Sequence, residues 1–145
     1  LFSCDIDFNN PSAIHKFNLD LWKSKKIINH FPFKKNIFKM IKKSTIIVLP
    51  SYREGFPKIL MEAAASGRPT ITSNVPGCRD AIINNVTGVL VPPKNYIKLA
   101  KAIASLSQNK QLSQKMGYAA RKHSIKNFDV TTVVSKHLSI YNSFN

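Results

Sequence analysis

Glu54 and Glu62 are the only two glutamates in this 145-residue chain, and seven residues separate them. Glu54 follows a β-branched run, and Glu62 falls in the second turn of a helix that Pro57 would open. The start of such a helix leaves backbone N–H groups unpaired and aimed outward, an arrangement suited to a phosphate oxygen. Because Pro57 has no N–H, the donors are those of Gly55, Phe56, Lys58 and Ile59. Gly55 allows close backbone approach, and the Lys58 ammonium adds a mobile charge for a diphosphate. A carboxylate can accept two hydrogen bonds from a vicinal diol, so a phosphate-binding turn between two carboxylates describes a site for a nucleotide sugar. Spacing alone leaves a plainer reading open, in which Glu54 sits in a turn and Glu62 offsets the helix dipole for about 0.3–1 kcal/mol.

The elements that must hold these residues alternate along the chain. A helix is expected from an Asn10 cap and Pro11 through residue 24, carrying Ala13, Ile14, Phe17 and Leu21 at helical spacing. Residues 27–31 form a short apolar strand candidate and residues 36–43 a short helix. Residues 45–49, Thr-Ile-Ile-Val-Leu, predict a strand buried on both faces. Pro57 then opens a helix that runs to residue 66 and is closed by Gly67, and a strand follows at 69–72. A short helix at 79–83, a strand at 89–91 and helices at 96–106, 111–123 and 131–143 complete the chain. Strands alternating with helices predict an α/β fold, a Rossmann-like doubly wound parallel sheet. Ligands in such sheets bind beyond the carboxyl ends of strands, which directs attention to the loops after Leu49, Thr72 and Val91.

The formal charge of +15 invites comparison with nucleic-acid-binding proteins. Here the basic residues are mostly lysines, 18 of 22, and they are scattered without interleaved aromatics. Lys34, Lys35, Lys42 and Lys43 bracket Ile37, Phe38, Met40 and Ile41, the pattern of a solvated helix face beside a buried one. No nucleic-acid partner is expected, whereas attraction to an anionic membrane surface or a lipid-linked phosphate is compatible with this charge. No apolar run reaches the ~18 residues of a membrane-spanning helix, and residues 1–10 show no basic leader. Cys4 and Cys78 read as reduced, packed thiols, and a cytoplasmic location follows, with contact at the inner face of the cell membrane left open. His15, His30, His123 and His137 lack metal-ligand spacing, so no metal site is expected. Trp22 reads as core.

The string from Pro50 to Pro69, PSYREGFPKILMEAAASGRP, is very similar to the donor-site signature of family 4 retaining glycosyltransferases, the group 1 glycosyl transferases. The resemblance continues upstream at Asn10-Pro11-Ser12-Ala13-Ile14. Downstream it takes in Val75 to Asp80, Asn85 to Val91 and Gly117 to Arg121, so nearly the whole chain is covered. It implies a two-domain GT-B architecture, of which this chain resembles the C-terminal half. Residues 1–128 would form the nucleotide-sugar (donor) domain, incomplete at its N-terminus, and residues 129–145 a helix that packs toward an acceptor domain. By this resemblance Glu54 faces the transferred sugar as the catalytic residue, and Glu62 holds the ribose. The donor-binding set is Gly55, Phe56, Lys58, Ile59 and Glu62, with Arg53 as a possible phosphate contact. No cofactor or metal is implied, and the donor is a nucleotide-diphosphate sugar. The acceptor is a glycan or lipid-linked glycan, in surface polysaccharide or glycoconjugate synthesis.

Two departures bear on activity. The family's donor domain opens with a glycine-rich loop and an Arg/Lys clamp on the diphosphate, and this sequence, which begins at Leu1 rather than at a methionine, starts after them. Removing one preorganised charge stabiliser can lower a rate by ~10²–10³. The alternative expectation is therefore a non-catalytic remnant, or half of a split enzyme whose acceptor domain is separately encoded. His30-Phe31-Pro32-Phe33 also falls where relatives carry a glycine, which bears on base recognition.

Overall fold

The computed structural model describes residues 14–31 and 36–144 and divides the chain into two compact units, Leu1–Ile37 and Phe38–Asn145. The expected Asn10–Pro11 helix start, Cys4, Pro32 and the Lys34–Lys35 pair lie outside the described residues.

In the first unit, α1 spans Lys16–Ser24, starting after the non-helical Ile14 and His15. Leu19 is buried, while Trp22 is half-buried rather than enclosed. The strand expected at 27–31 does not form; only an isolated bridge at Phe31 appears there. The helix end takes up the backbone instead: Lys26 adopts φ 55, Lys26 N–H bonds Lys23 O at 2.9 Å, and Ile27 N–H bonds Trp22 O at 2.9 Å. This is a Schellman closure built on a non-glycine residue, and it turns Ile27 outward, 64% exposed. A short apolar run cannot by itself distinguish a strand from a helix exit.

In the second unit the elements are α2 (Phe38–Lys43), β1 (Ile47–Leu49), α3 (Lys58–Ala65), β2 (Thr70–Ser73), α4 (Cys78–Ala81), β3 (Gly88–Val91), α5 (Tyr96–Gln108), α6 (Lys110–Asn127) and α7 (Val130–Asn142). The three strands form a parallel sheet in the order β1-β2-β3, with Leu49 opposite Thr72 and Thr72 opposite Leu90. The register sorts side chains to two faces. Leu49 and Leu90 pack with Leu60, Val75, Cys78, Ala81 and Ile82 under α3 and α4. Ile71, Val89 and Val91 pack on the opposite face with Leu106, Met116 and Leu112 from α5 and α6. Helices on both faces of a parallel sheet are the doubly wound arrangement.

β1 was expected to be buried on both faces, and it is not. Ile47 is buried and Leu49 half-buried, but Val48 is 38% exposed. Val48 shares the face of Ile71, where α5 and α6 lie over β2 and β3, and β1 is an edge strand of the described sheet.

α3 begins one residue later than expected, because Pro57 is its N-cap, at φ −69 and ψ 117. Its far end closes as the sequence implies. Gly67 at φ 66 bonds Ala64 O, and Arg68 N–H bonds Ala63 O, both at 2.9 Å. α6 then crosses this end so closely that a Cβ on Gly117 would overlap the Gly67 carbonyl. Side-chain caps from Asn95, Asn109 and Asp129 start α5, α6 and α7.

Candidate functional site

Both glutamates belong to the segment joining β1 to β2. The carboxyl ends of those strands are tied together, because Thr72 Oγ1 donates to Leu49 O at 2.7 Å. The chain leaving β1 therefore departs from a fixed point. Ser51 Oγ donates to Glu54 Oε1 at 2.6 Å, a charge-assisted bond that fixes the half-buried carboxylate against its own loop. Sequence reasoning missed Ser51, although the Ser-x-x-Glu spacing is a signal for such a local bond.

Gly55 is exposed, and a Cβ there would meet nothing within 4 Å, so the loop presents open backbone at this point. Among the described residues no hydrogen-bond acceptor is recorded for the N–H groups of Gly55, Phe56, Lys58 and Ile59, whereas Leu60 N–H bonds Pro57 O at 3.0 Å. Four donors thus stand at the start of α3, on the carboxyl side of the sheet.

The loop is braced from two directions. Gly77, at φ 78, lies so close that a Cβ on it would overlap the Gly55 carbonyl and come within 2.6 Å of Glu54 O. Its N–H donates to Asp80 Oδ2 at 2.9 Å, which holds the turn that opens α4. On the other side, the Phe56 ring meets Phe128 edge-on, with centroids 5.6 Å apart and an interplanar angle of 79°. Phe128 meets the His123 ring in the same way, at 5.2 Å and 90°. Burial, and then the Lys126 ammonium, hold the His123 imidazole below its ordinary pKa. Phe128 is the C-cap of α6, followed directly by Asp129, the N-cap of α7. Neither brace was anticipated: the positive φ of Gly77 had a signal in the Pro-Gly pair, but the Phe56–Phe128 pair joins residues far apart in sequence.

Glu62 is the fifth of the eight residues of α3, with its side chain 30% exposed, and Lys58 Nζ lies 3.6 Å from its Oε1. The Lys58 ammonium therefore rests against Glu62 one turn away. The Lys58 side chain is 83% exposed, so this pair is weak and readily exchanged. Arg53 is exposed and forms no ion pair among the described residues. Beside the loop, a cleft of about 430 Å³ opens at the carboxyl ends of all three strands, between Tyr52, Ser73, Val91 and Tyr96. Lys94, at φ 61, holds its ammonium 5.8 Å from the centre of the Tyr52 ring there.

The family model of the glycosyl transferases group 1 matches residues 16–123. The chain belongs to that family. The group 1 match covers the whole β1-to-β3 core and the braced loop. A glycogen synthase of Mycobacterium tuberculosis is 35% identical over 102 residues, which are 70% of this chain and 25% of that protein. The N,N'-diacetylbacillosaminyl-diphospho-undecaprenol α-1,3-N-acetylgalactosaminyltransferase of Campylobacter jejuni is 28% identical over 140 residues, 96% of this chain and 33% of that protein. Among solved structures, the Anabaena protein HepE in complex with UDP superposes with a TM-score of 0.81 at 19% identity, covering 88% of this chain and 35% of that one. These matches confirm a Rossmann-like GT-B half. The chain spans a quarter to a third of the length of these two curated relatives. No helix among the described residues is long and apolar enough to cross a membrane.

Proposed function

We propose that this chain is the donor-binding half of a retaining, metal-independent glycosyltransferase that moves a hexosyl group from a nucleotide-diphosphate sugar to a glycan or lipid-linked acceptor. The observation that carries this is the turn from Ser51 to Ile59, where four N–H donors without recorded acceptors stand beside an oriented Glu54 carboxylate at the carboxyl edge of a parallel sheet. The N–H groups of Gly55, Phe56, Lys58 and Ile59 would receive the diphosphate, with Lys58 turning from Glu62 toward the added charge. Glu62 would accept from the ribose diol, and Glu54 would face the transferred sugar at its reacting carbon. Arg53, which is exposed, would meet a phosphate from the solvent side.

In the reaction, the bond between the anomeric carbon and the diphosphate oxygen breaks with its electron pair going to that oxygen, the carbon bonds the acceptor hydroxyl oxygen, and the hydroxyl proton passes to the departing diphosphate. Charge developing on the diphosphate is met by the helix start and by basic side chains, which is why no metal is invoked.

Residues 1–128 would serve as the donor domain and residues 129–145 as the helix that turns toward an acceptor domain. α7 contains no buried residue and leaves Val134, Leu138, Ile140 and Tyr141 exposed, which supports that division. The acceptor domain, supplied by a longer chain or by a separate one, would complete the enzyme. The name of the Campylobacter relative supports a lipid-linked acceptor, and with it contact at the inner face of the cell membrane.

Calorimetric titration with UDP-, GDP- and ADP-sugars, on the native chain and Glu62→Ala, tests the donor claim. Saturable binding weakened by the substitution supports it; absence of binding by a folded chain refutes it.

A further inference from the structure

We infer that the end of the domain opposite the Glu54 loop holds a second anion site, one for a phosphate group. A cleft of about 300 Å³ lies where α3 ends, lined by Phe38, Lys42, Ala65, Ser66, Gly67 and Arg121. Because α3 runs antiparallel to the strands, its C-terminal end and the cleft stand at the amino edge of the sheet, remote from Pro57 and its free N–H groups.

A helix C-terminus ordinarily repels an anion. Here its carbonyls are occupied. Ser66 N–H bonds Glu62 O, Arg68 N–H bonds Ala63 O, Gly67 N–H bonds Ala64 O, and Arg121 Nη1 donates to Ala65 O. The end of α2 is treated alike, with Arg68 Nη2 donating to Lys42 O and Ser44 Oγ to Met40 O. Each guanidinium uses one recorded N–H for this and has others left. Of the four buried polar atoms without a partner among the described residues, two belong to the chain leaving α3: Ser66 Oγ, on a residue that lines the cleft, and Arg68 Nε, two residues on. Lys42 holds its ammonium 4.6 Å from the Phe38 ring centre, which keeps it at the cleft mouth. Among the described residues none of these cations forms an ion pair with a carboxylate.

A buried hydroxyl without a partner calls for a ligand or water to satisfy it, and two cations with spare donors select an acceptor with several oxygens. A tetrahedral phosphate, accepting from Ser66 O–H, Arg121 N–H and Lys42, meets all three, and the cleft is large enough for a phosphomonoester. The phosphate could belong to a free ester or to an anionic lipid headgroup. This site is independent of the donor reading.

The test titrates the full chain with sodium phosphate at constant ionic strength, against chloride, and follows backbone amide NMR. Saturable shifts are expected at Ser66, Gly67 and the residues of α2. Ser66→Ala and Lys42→Gln should each weaken phosphate binding about tenfold, the usual scale for one hydrogen bond to a charged group. Both variants should fold, because Ser66 Oγ makes no recorded internal bond and Lys42 is exposed. Lys98→Gln, on exposed α5 surface, should change nothing. A parallel arm measures cosedimentation with phosphatidylglycerol vesicles against phosphatidylcholine. Loss of vesicle binding in the two cleft variants, without binding of free phosphate, assigns the headgroup as the source. Shifts spread over many lysines, equal binding in all variants, or binding in neither arm would overturn the inference.

Discussion

Gly77 lies against the Gly55 carbonyl, so that the loop after β2 supports the loop after β1 at the residue beside Glu54. Two loops from adjacent parallel strands thereby behave as one piece, and its shape depends on the absence of a side chain at Gly77. Gly77→Ala adds a Cβ where backbone already stands, at φ 78, a region that costs a non-glycine residue about 1–3 kcal/mol. The variant is expected to lose stability on that scale in urea unfolding and to lose donor affinity by more than its stability loss explains. Gly55→Ala, where the added Cβ meets open space, should leave stability nearly unchanged.

The second support is aromatic. Phe128→Ala removes the edge-on contact to Phe56, worth about 0.5–1.5 kcal/mol beyond area burial. Phe56→Ala and Phe128→Ala should therefore be non-additive in a double-mutant cycle read by urea unfolding. Phe128→Tyr, which keeps the ring edge, should restore most of the loss.

Ser51→Ala deprives Glu54 of its donor at 2.6 Å. Loss of a hydrogen bond to a charged group predicts an effect of about 1.5–3 kcal/mol at most, discounted because the site is partly open to water. Calorimetry should show weaker nucleotide-sugar binding, with Ser51→Thr retaining more affinity than Ser51→Ala.

The pH dependence of stability follows from His123. Its folded pKa lies below the ordinary value of 6.5, so the unfolded chain binds more protons as pH falls. The contribution of this histidine is full above 6.5 and is lost as pH drops through its folded value. Urea midpoints measured from pH 8 down to pH 5 should fall over that window in the native chain and fall less in His123→Gln.

Most of the fold was legible because strong local signals agreed. Pro57 and Gly67 bracket α3, and the β-branched run of β1 and the Thr-Ile-Thr of β2 allow few alternatives. The failures occurred where a tertiary relation decided the outcome. Lys26 closes α1 in a left-handed conformation that glycine ordinarily supplies, so residues 27–31 looked like a strand. Val48 looked doubly buried because its neighbours are apolar, but only its sheet position sets what covers it. In the candidate site, the residues at the start of α3 could be named from sequence. Ser51 and Gly77, which hold them, carried local signals that went unread, whereas Phe128 could not be named, because its partner is set by the path of α6.

The central claim is that the turn at the start of α3 receives the donor diphosphate while Glu62 holds the nucleoside. Amide NMR of the chain titrated with UDP-glucose, and with GDP- and ADP-sugars in turn, tests it most directly. Saturable shifts at Gly55, Phe56, Lys58 and Ile59, weakened in Glu62→Ala, are the predicted result. Saturable shifts elsewhere that leave these four amides unmoved, or a response that Glu62→Ala does not alter, would contradict it.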